Sequence, residues 1–331
     1  MKSTNLSIQM AFQVTTKRWN ENLINGVVTV ADHALVCSKF YELTENPAML
    51  FRGADYLLKK VTYRNGVARW KFSDTVEDIP ADLDTTSFAF IHLLEAERNG
   101  LRVPKKVSAA QNPRNVEQLY KYVTPNGGVY TFFAKTSEGR YRYHGLTKAN
   151  DVDPMPNSSL VFLLLRLKES GIFHDNLYGR IRQYWNWYLL NGFNGERPSE
   201  YFQKPYVAQR AAKIQSFDRE FLEPASEQKL VEYLLVAKPI NPLQAAWLST
   251  ACSLTGLQER ARKLNQMIDE RRIELFLDIY PTHNQRTPPV NYGSEAETSL
   301  FALEALQKDD RPHQALKTLE KMLVQQADMN S

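Results

Sequence analysis

The residues best suited to chemistry stand together in DLDTTS, Asp82 to Ser87. Two carboxylates this close can keep one proton between them, because two like charges at short range do not both ionise cheaply. A lone aspartate is ionised at neutral pH, with an unperturbed pKa of about 3.9. A paired one can stay protonated and deliver its proton to a carbon–carbon double bond in a water-poor cavity. Hydroxyls such as Thr85, Thr86 or Ser87 would orient the pair and stabilise its conjugate base. The carbocation so formed needs aromatic faces and no water. With 16 Phe, 16 Tyr and 5 Trp the chain can supply such faces.

Three other readings of the same residues compete. Asp and Thr are good N-cap residues, and a carboxylate near a helix start gains roughly 0.3–1 kcal/mol from the macrodipole. A phosphatase nucleophile loop of the DxDxT type must follow a buried strand. Here the preceding residues are TVEDIPA, with Pro80 just ahead of Asp82, so that reading is set aside. Paired carboxylates also suit Mg²⁺, a hard cation that prefers oxygen ligands. No DDxxD or DDxxE stands on an apolar helix, and Asp309–Asp310 in KDDRPHQ reads as a turn before Pro312.

The elements that must hold this stretch are helices. Apolar residues recur at helical spacing over 28–43, 47–61, 86–99, 116–123, 158–170, 177–190, 199–216, 227–235, 242–255, 258–269, 296–307 and 312–328. Asn46-Pro47, Asn99-Gly100, Ser170-Gly171 and Asn241-Pro242 punctuate their ends. Strand signals are short, GVARWKF and GVYTFFA, and read as hairpin arms. The expectation is an all-α fold with long connections.

The chain also repeats itself. LLKKVTYRNGVARWKF leads to DLDTTSFAFIHLLEAERNG, and LYKYVTPNGGVYTFF leads to DVDPMPNSSLVFLLLRLKESG, which sets Asp82/Asp84 and Asp151/Asp153 69 residues apart. A weaker third copy is LFLDIY followed by NYGSEAETSLFALEAL, with Glu295 and Glu297 in the acidic places. Helix pairs at a period of roughly 50–70 residues predict an α/α barrel or a solenoid. In a closed barrel the acidic pairs would ring one mouth.

At these residues the chain resembles a known family. DLDTTS resembles the DxDTT variant of the DxDD motif of class II terpene cyclases, closest to the drimane-type sesquiterpene cyclases, whose β-type cyclase domain is fused to a phosphatase domain. GVYTFF through HGLTKANDVDPMPNSSLVFLLL is similar to that family's aromatic arm and DxDPxxN segment. NYGSEAETSLFALEAL is similar to its late Gly-Ser segment. The resemblance spans 57–306. It implies a terpenoid-cyclase-like α/α barrel, a prenyl diphosphate substrate and Mg²⁺ assisting at the diphosphate without ionising it. It also implies Asp84 as proton donor, with Asp82 and Thr85 tuning it. Pro156 and Glu297 depart from the family's pattern, and Gln-Trp repeats are absent. No phosphatase domain accompanies the barrel, so the product is expected to keep its diphosphate unless a separate phosphatase removes it.

Other residues complete the expected site. Arg140, Arg142 and Lys148 would bind the diphosphate, since phosphate favours convergent cations. Asp151 and Asp153 would bond at the mouth or cap a helix. YWNWYLL, Tyr184 to Leu190, carries rings on nearly all sides and reads as an inner helix. Trp187, with Phe88, Phe132, Phe133 and Tyr292, would line the cavity or pack in the core. Tyr143 and His144 permit an alternative, an α/α-barrel polysaccharide lyase; a further alternative is an inactive toroid that binds a hydrophobic ligand or a protein partner.

Composition bounds the rest. A net charge of +4, from 41 basic and 37 acidic residues, with no basic block, argues against nucleic acid. Cys37 and Cys252 are neither paired as CxxC nor near a histidine cluster, and read as buried free thiols. The run SSLVFLLL is too short to cross a bilayer, which takes roughly 20 residues. The start of the chain shows no signal peptide. The expectation is a cytoplasmic single-domain barrel over 1–331.

Overall fold

A computed structural model describes residues 47–71, 81–130, 154–172, 174–192, 204–239 and 242–270, together with single positions within 30–42, at 133 and within 301–309. Nine α-helices are described in chain order: α1 (Pro47–Lys60), α2 (Leu83–Arg98), α3 (Pro113–Glu117), α4 (Pro154–Glu169), α5 (Asp175–Trp187), α6 (Lys204–Phe217), α7 (Pro224–Val236), α8 (Pro242–Leu254) and α9 (Gln258–Glu270). A 3-10 turn at Leu119–Tyr122 follows α3, and a π turn at Tyr188–Gly192 extends α5. Proline opens α1, α3, α4, α7 and α8, where its fixed φ suits the first turn and its missing N–H costs nothing.

Alternate helices form the inner layer. α2 packs on α4, α4 on α6 and α6 on α8, while α1 covers α2, α5 covers α4, α7 covers α6 and α9 covers α8. This is an α/α barrel. The sequence dictates the layering: α4 buries Leu160, Val161, Leu163, Leu164 and Leu167 on nearly every side, as a helix wrapped by neighbours must. Three inner helices stop alike. After α2, α4 and α8 a glycine with positive φ (Gly100, Gly171, Gly256) lets the next residue's N–H reach back five positions, Leu101 to Ala96, Ile172 to Leu167 and Leu257 to Cys252. With outer helices returning the chain between them, these inner helices run in one direction, so their N-termini face one end.

Between α1 and α2 lies the one antiparallel hairpin among the described residues, β1 (Thr62–Arg64) and β2 (Val67–Arg69). Asn65 and Gly66, both at positive φ, make its turn. GVARWKF is thus a hairpin arm, and in GVYTFFA Val129 bridges to Val123. Cys37 and Cys252 are free and buried, and burial pushes both thiols up to about 12, away from reactivity.

The structure revises several expected elements. α2 begins at Leu83, not Thr86, because Asp82 supplies the cap. The helix expected over 116–123 is a short α-helix followed by a 3-10 turn. α5, expected inside, packs on α4 from outside. The segments expected as helices at 28–43 and 296–307 are described only at single positions, which are helical; the segment at 312–328 lies outside the described residues.

Candidate active site

Trp70, directly after β2, fixes where α2 begins. Its indole N–H donates to the Leu57 carbonyl (2.8 Å), its backbone N–H to Thr86 Oγ1 (3.1 Å), and its carbonyl accepts from the Asp82 N–H (3.2 Å). Its ring stands edge-on to Phe90 at 5.2 Å. Lys71 bridges to Ala81, and the Phe133 N–H donates to the Ala81 carbonyl at 3.1 Å. The aspartates are therefore gripped from both sides of the loop that carries them.

The two carboxylates then part. Asp82 caps its own helix, Oδ1 accepting from the Thr85 N–H at 2.7 Å, while Oδ2 has no hydrogen-bond partner. Asp82 is 2% exposed. Burial first of all, with the charge of Asp84 adding, pushes its pKa up to about 8 against the pull of the Thr85 N–H. Asp84 turns across to α4, where Ser159 Oγ donates to its Oδ1. It is deeply enclosed, yet keeps part of its surface open. Burial raises its pKa, while the Ser159 hydroxyl and the charge of Arg210 pull the other way. Thr85, read as a tuning residue, bonds Asp82 through its backbone N–H, and its side chain adds to the pull on the Asp82 carboxyl.

Sequence reasoning did not single out Ser158, Ser159 or Arg210. Arg210, on α6, donates from Nε to Ser158 Oγ (3.0 Å) and from Nη2 to Ser159 Oγ (3.2 Å). Its guanidinium lies 4.3 Å from the Phe162 ring centre, 4.9 Å from Phe88 and 5.8 Å from Tyr206. A signal was available in YVAQRAAKIQSF: one arginine amid small and apolar residues, with no carboxylate three or four positions away to pair with it. A charge kept on such a helix faces an interior.

Beyond Arg210 lies a cavity of about 340 Å³, one to two turns from Asp84 toward the C-terminal ends of the inner helices. Phe88, Ile91, Phe162, Phe217 and Leu254 give it apolar walls, and Arg166, Gln209, Arg210, Lys213, Glu304 and Lys308 give it polar ones. Phe217, 54% exposed, marks its outer end. Asp84 itself is not on its described wall.

The other expected site residues divide three ways. Phe88 lines this cavity. Phe133 is buried elsewhere, in edge contact with Tyr122 (4.6 Å) and under the Arg69 guanidinium (4.5 Å). Trp187 is 56% exposed on an outer helix, and its neighbour Trp185 takes the inward position in YWNWYLL. Arg140, Arg142, Tyr143, His144, Lys148, Asp151, Asp153 and Tyr292 lie outside the described residues.

The described acidic pair does not fit a protein-held Mg²⁺. Asp82 caps a helix, Asp84 bonds a serine, and among the described residues no three of His, Cys, Asp and Glu converge on a metal-sized space. Nor, among them, is any helix long and apolar enough to cross a membrane.

No family model and no curated protein matches the chain. Solved structures do. An Asp-to-Asn variant of the type II terpene cyclase MstE from Scytonema, in complex with its substrate geranylgeranyl dihydroxybenzoate, is similar over 99% of this chain and 98% of that one, with a TM-score of 0.58 and 12% identity. Salmonella α-2-macroglobulin reacted with methylamine is similar over 83% of this chain with a TM-score of 0.51 and 16% identity, and there the match spans 16% of that chain. The fold is therefore that of a terpene-cyclase barrel, a toroid also found within a much longer protein.

Proposed function

We propose that the chain is a class II terpene cyclase: it protonates the terminal double bond of a linear prenyl diphosphate, with farnesyl diphosphate as the expected substrate and Asp84 as general acid. The observation that carries this reading is the parting of the two aspartates. Asp82 serves the helix, which leaves Asp84 free of capping and set against a hydroxyl in an enclosed site where burial favours its neutral form. A neutral Asp82 beside it adds no second charge to repel an incoming chain or to oppose the conjugate base.

The proton on Asp84 bonds to one carbon of the terminal double bond. The resulting cation is consumed by ring closure onto the next double bond, and loss of a proton from the cyclic cation restores neutrality. Substrate and product are isomers. Ser159 holds the Asp84 carboxyl in place and keeps a hydrogen bond on it after the proton leaves. Mg²⁺ enters this reading with the substrate's diphosphate and not through a set of protein ligands, and a separate phosphatase would release that group afterwards. The fold neighbour's substrate, geranylgeranyl dihydroxybenzoate, is a prenyl chain on a different head, so the prenyl chain is the shared element.

The test is turnover of farnesyl diphosphate with Mg²⁺, and of geranylgeranyl dihydroxybenzoate, followed by product mass and retention. Cyclic product from one of them, with a rate loss of about 100-fold or more in Asp84→Asn, is expected. Equal rates for Asp84→Asn and wild type would remove Asp84 from the chemistry.

Two observations favour a second reading, a toroid that binds an amphipathic ligand without transforming it. The Arg210 cation beside Asp84 opposes its protonation, and the cavity wall is partly polar. That reading expects tight binding of a prenyl ligand recovered unchanged.

A further inference from the structure

We propose that the cavity beyond Arg210 receives the oxyanion of an amphipathic ligand, and that each oxyanion arriving there is matched by uptake of a proton at Asp84. The inference goes beyond cyclisation: it concerns binding and protonation, and can be measured on a chain that turns nothing over.

Arg210 is 6% exposed and holds two serine hydroxyls and three aromatic faces, and among the described residues no carboxylate pairs with it directly. A buried cation favours negative charge close to it. The other charges on the cavity wall are engaged: Glu304 lies 2.8 Å from Lys213 and 3.9 Å from Lys308, and Arg166 lies 3.2 Å from Glu169. Glu42 and Lys213 lie on the same wall, and Asp82 adjoins Asp84 from its own loop. Gln209, 1% exposed, lines the cavity with a side-chain N–H₂ that meets no acceptor. On this wall the Gln209 N–H₂ thus awaits an acceptor beside the Arg210 guanidinium.

One hydroxyl joins this donor wall to the acid. Ser159 Oγ accepts from Arg210 Nη2 and donates to Asp84. When Asp84 is ionised, the guanidinium has a negative charge one hydroxyl away. When Asp84 is protonated, the guanidinium has none, and the cavity must provide it. Anion in the cavity and negative charge on Asp84 therefore compete for the same cation. By reciprocity, an anion that favours the protonated acid is itself favoured by it. The apolar wall, Phe88, Ile91, Phe162 and Leu254, takes the ligand's chain, and Phe217 at the outer end gives its path in. This head-inward pose is distinct from the cyclising one, which brings the far end of the chain to Asp84.

Isothermal titration calorimetry at pH 7 in buffers of different ionisation enthalpy counts the protons taken up. The probes are farnesoic acid, farnesyl diphosphate and uncharged farnesol, so that a carboxylate head and a phosphate head are told apart. At least one of the two anions should bind about 10-fold or more tighter than farnesol, with net uptake of up to about one proton. Arg210→Gln should equalise anion and alcohol, and Arg210→Lys, a second variant should the first not fold, should keep part of the preference. Asp84→Asn should bind the anion and take up no proton, while Asp82→Asn should still take it up. Farnesol binding as tightly as both anions, or the same proton count in Asp84→Asn as in wild type, overturns the proposal. Loss of cyclisation with proton uptake intact would instead count against the catalytic reading alone.

Discussion

At the scale of single residues, two aspartates of the same type and nearly the same place have different work. Asp82 faces the first turn of α2 and accepts from the Thr85 N–H there; Asp84, two positions on, faces another helix. The difference has a pH consequence. Asp82 titrates at about 8 in the folded chain, above its unfolded value, so its neutral form adds stability that is full below about pH 4 and is lost as pH rises through 8. Asp82→Asn keeps an N-cap side chain and removes the titration. Thermal unfolding of the wild type should therefore fall by about 2 °C or more between pH 5 and pH 8.5 relative to Asp82→Asn, read by differential scanning fluorimetry. Parallel curves for the two proteins would show that Asp82 is already ionised across that range. Asp82→Ala, which loses the cap as well, should cost about 1 kcal/mol at pH 5.

At the scale of elements, close approach between neighbours sets the tolerance to change. Gly127, at φ +85°, lies where an added Cβ would stand 1.9 Å from the Arg180 carbonyl oxygen of α5. Gly66 and Gly171 also have positive φ, at +75° and +77°, but an added Cβ meets nothing within 4 Å. The pair of controls separates backbone strain from collision. Gly66→Ala and Gly171→Ala should each cost about 1 kcal/mol, and Gly127→Ala about 1–3 kcal/mol more, in urea unfolding. Equal costs at all three positions would mean that α5 sits farther from the 124–128 turn than the structure places it. Helix existence in this chain was legible because apolar spacing and Pro–Gly punctuation are local properties. Layer was not: YWNWYLL carries rings all round, and whether Trp185 or Trp187 points inward depends on which side α4 occupies.

At the scale of the molecule, the barrel is continuous: Trp70, Trp185 and Trp247, all fully buried, sit in different sectors of one helical ring. A single domain over 1–331 is what the sequence leads one to expect. Tryptophan fluorescence and far-UV circular dichroism should then report one coincident unfolding transition. Two separated midpoints would divide the barrel into independently stable parts. The same fold occurs in a terpene cyclase and within α-2-macroglobulin, so the toroid does not decide the chemistry.

The amino-acid sequence by itself determined the helical class, the repeat, the hairpin turn at Asn65–Gly66 and the acidic pair, because periodicity, turn chemistry and short spacing act between residues close in the chain. Only the tertiary structure decided which aspartate caps and which faces α4, and which serine and which arginine meet the second one. Ser159 lies 75 positions from Asp84, and Arg210 lies 51 beyond Ser159. Contacts at such separations come from the order and tilt of packed helices, which no local pattern encodes.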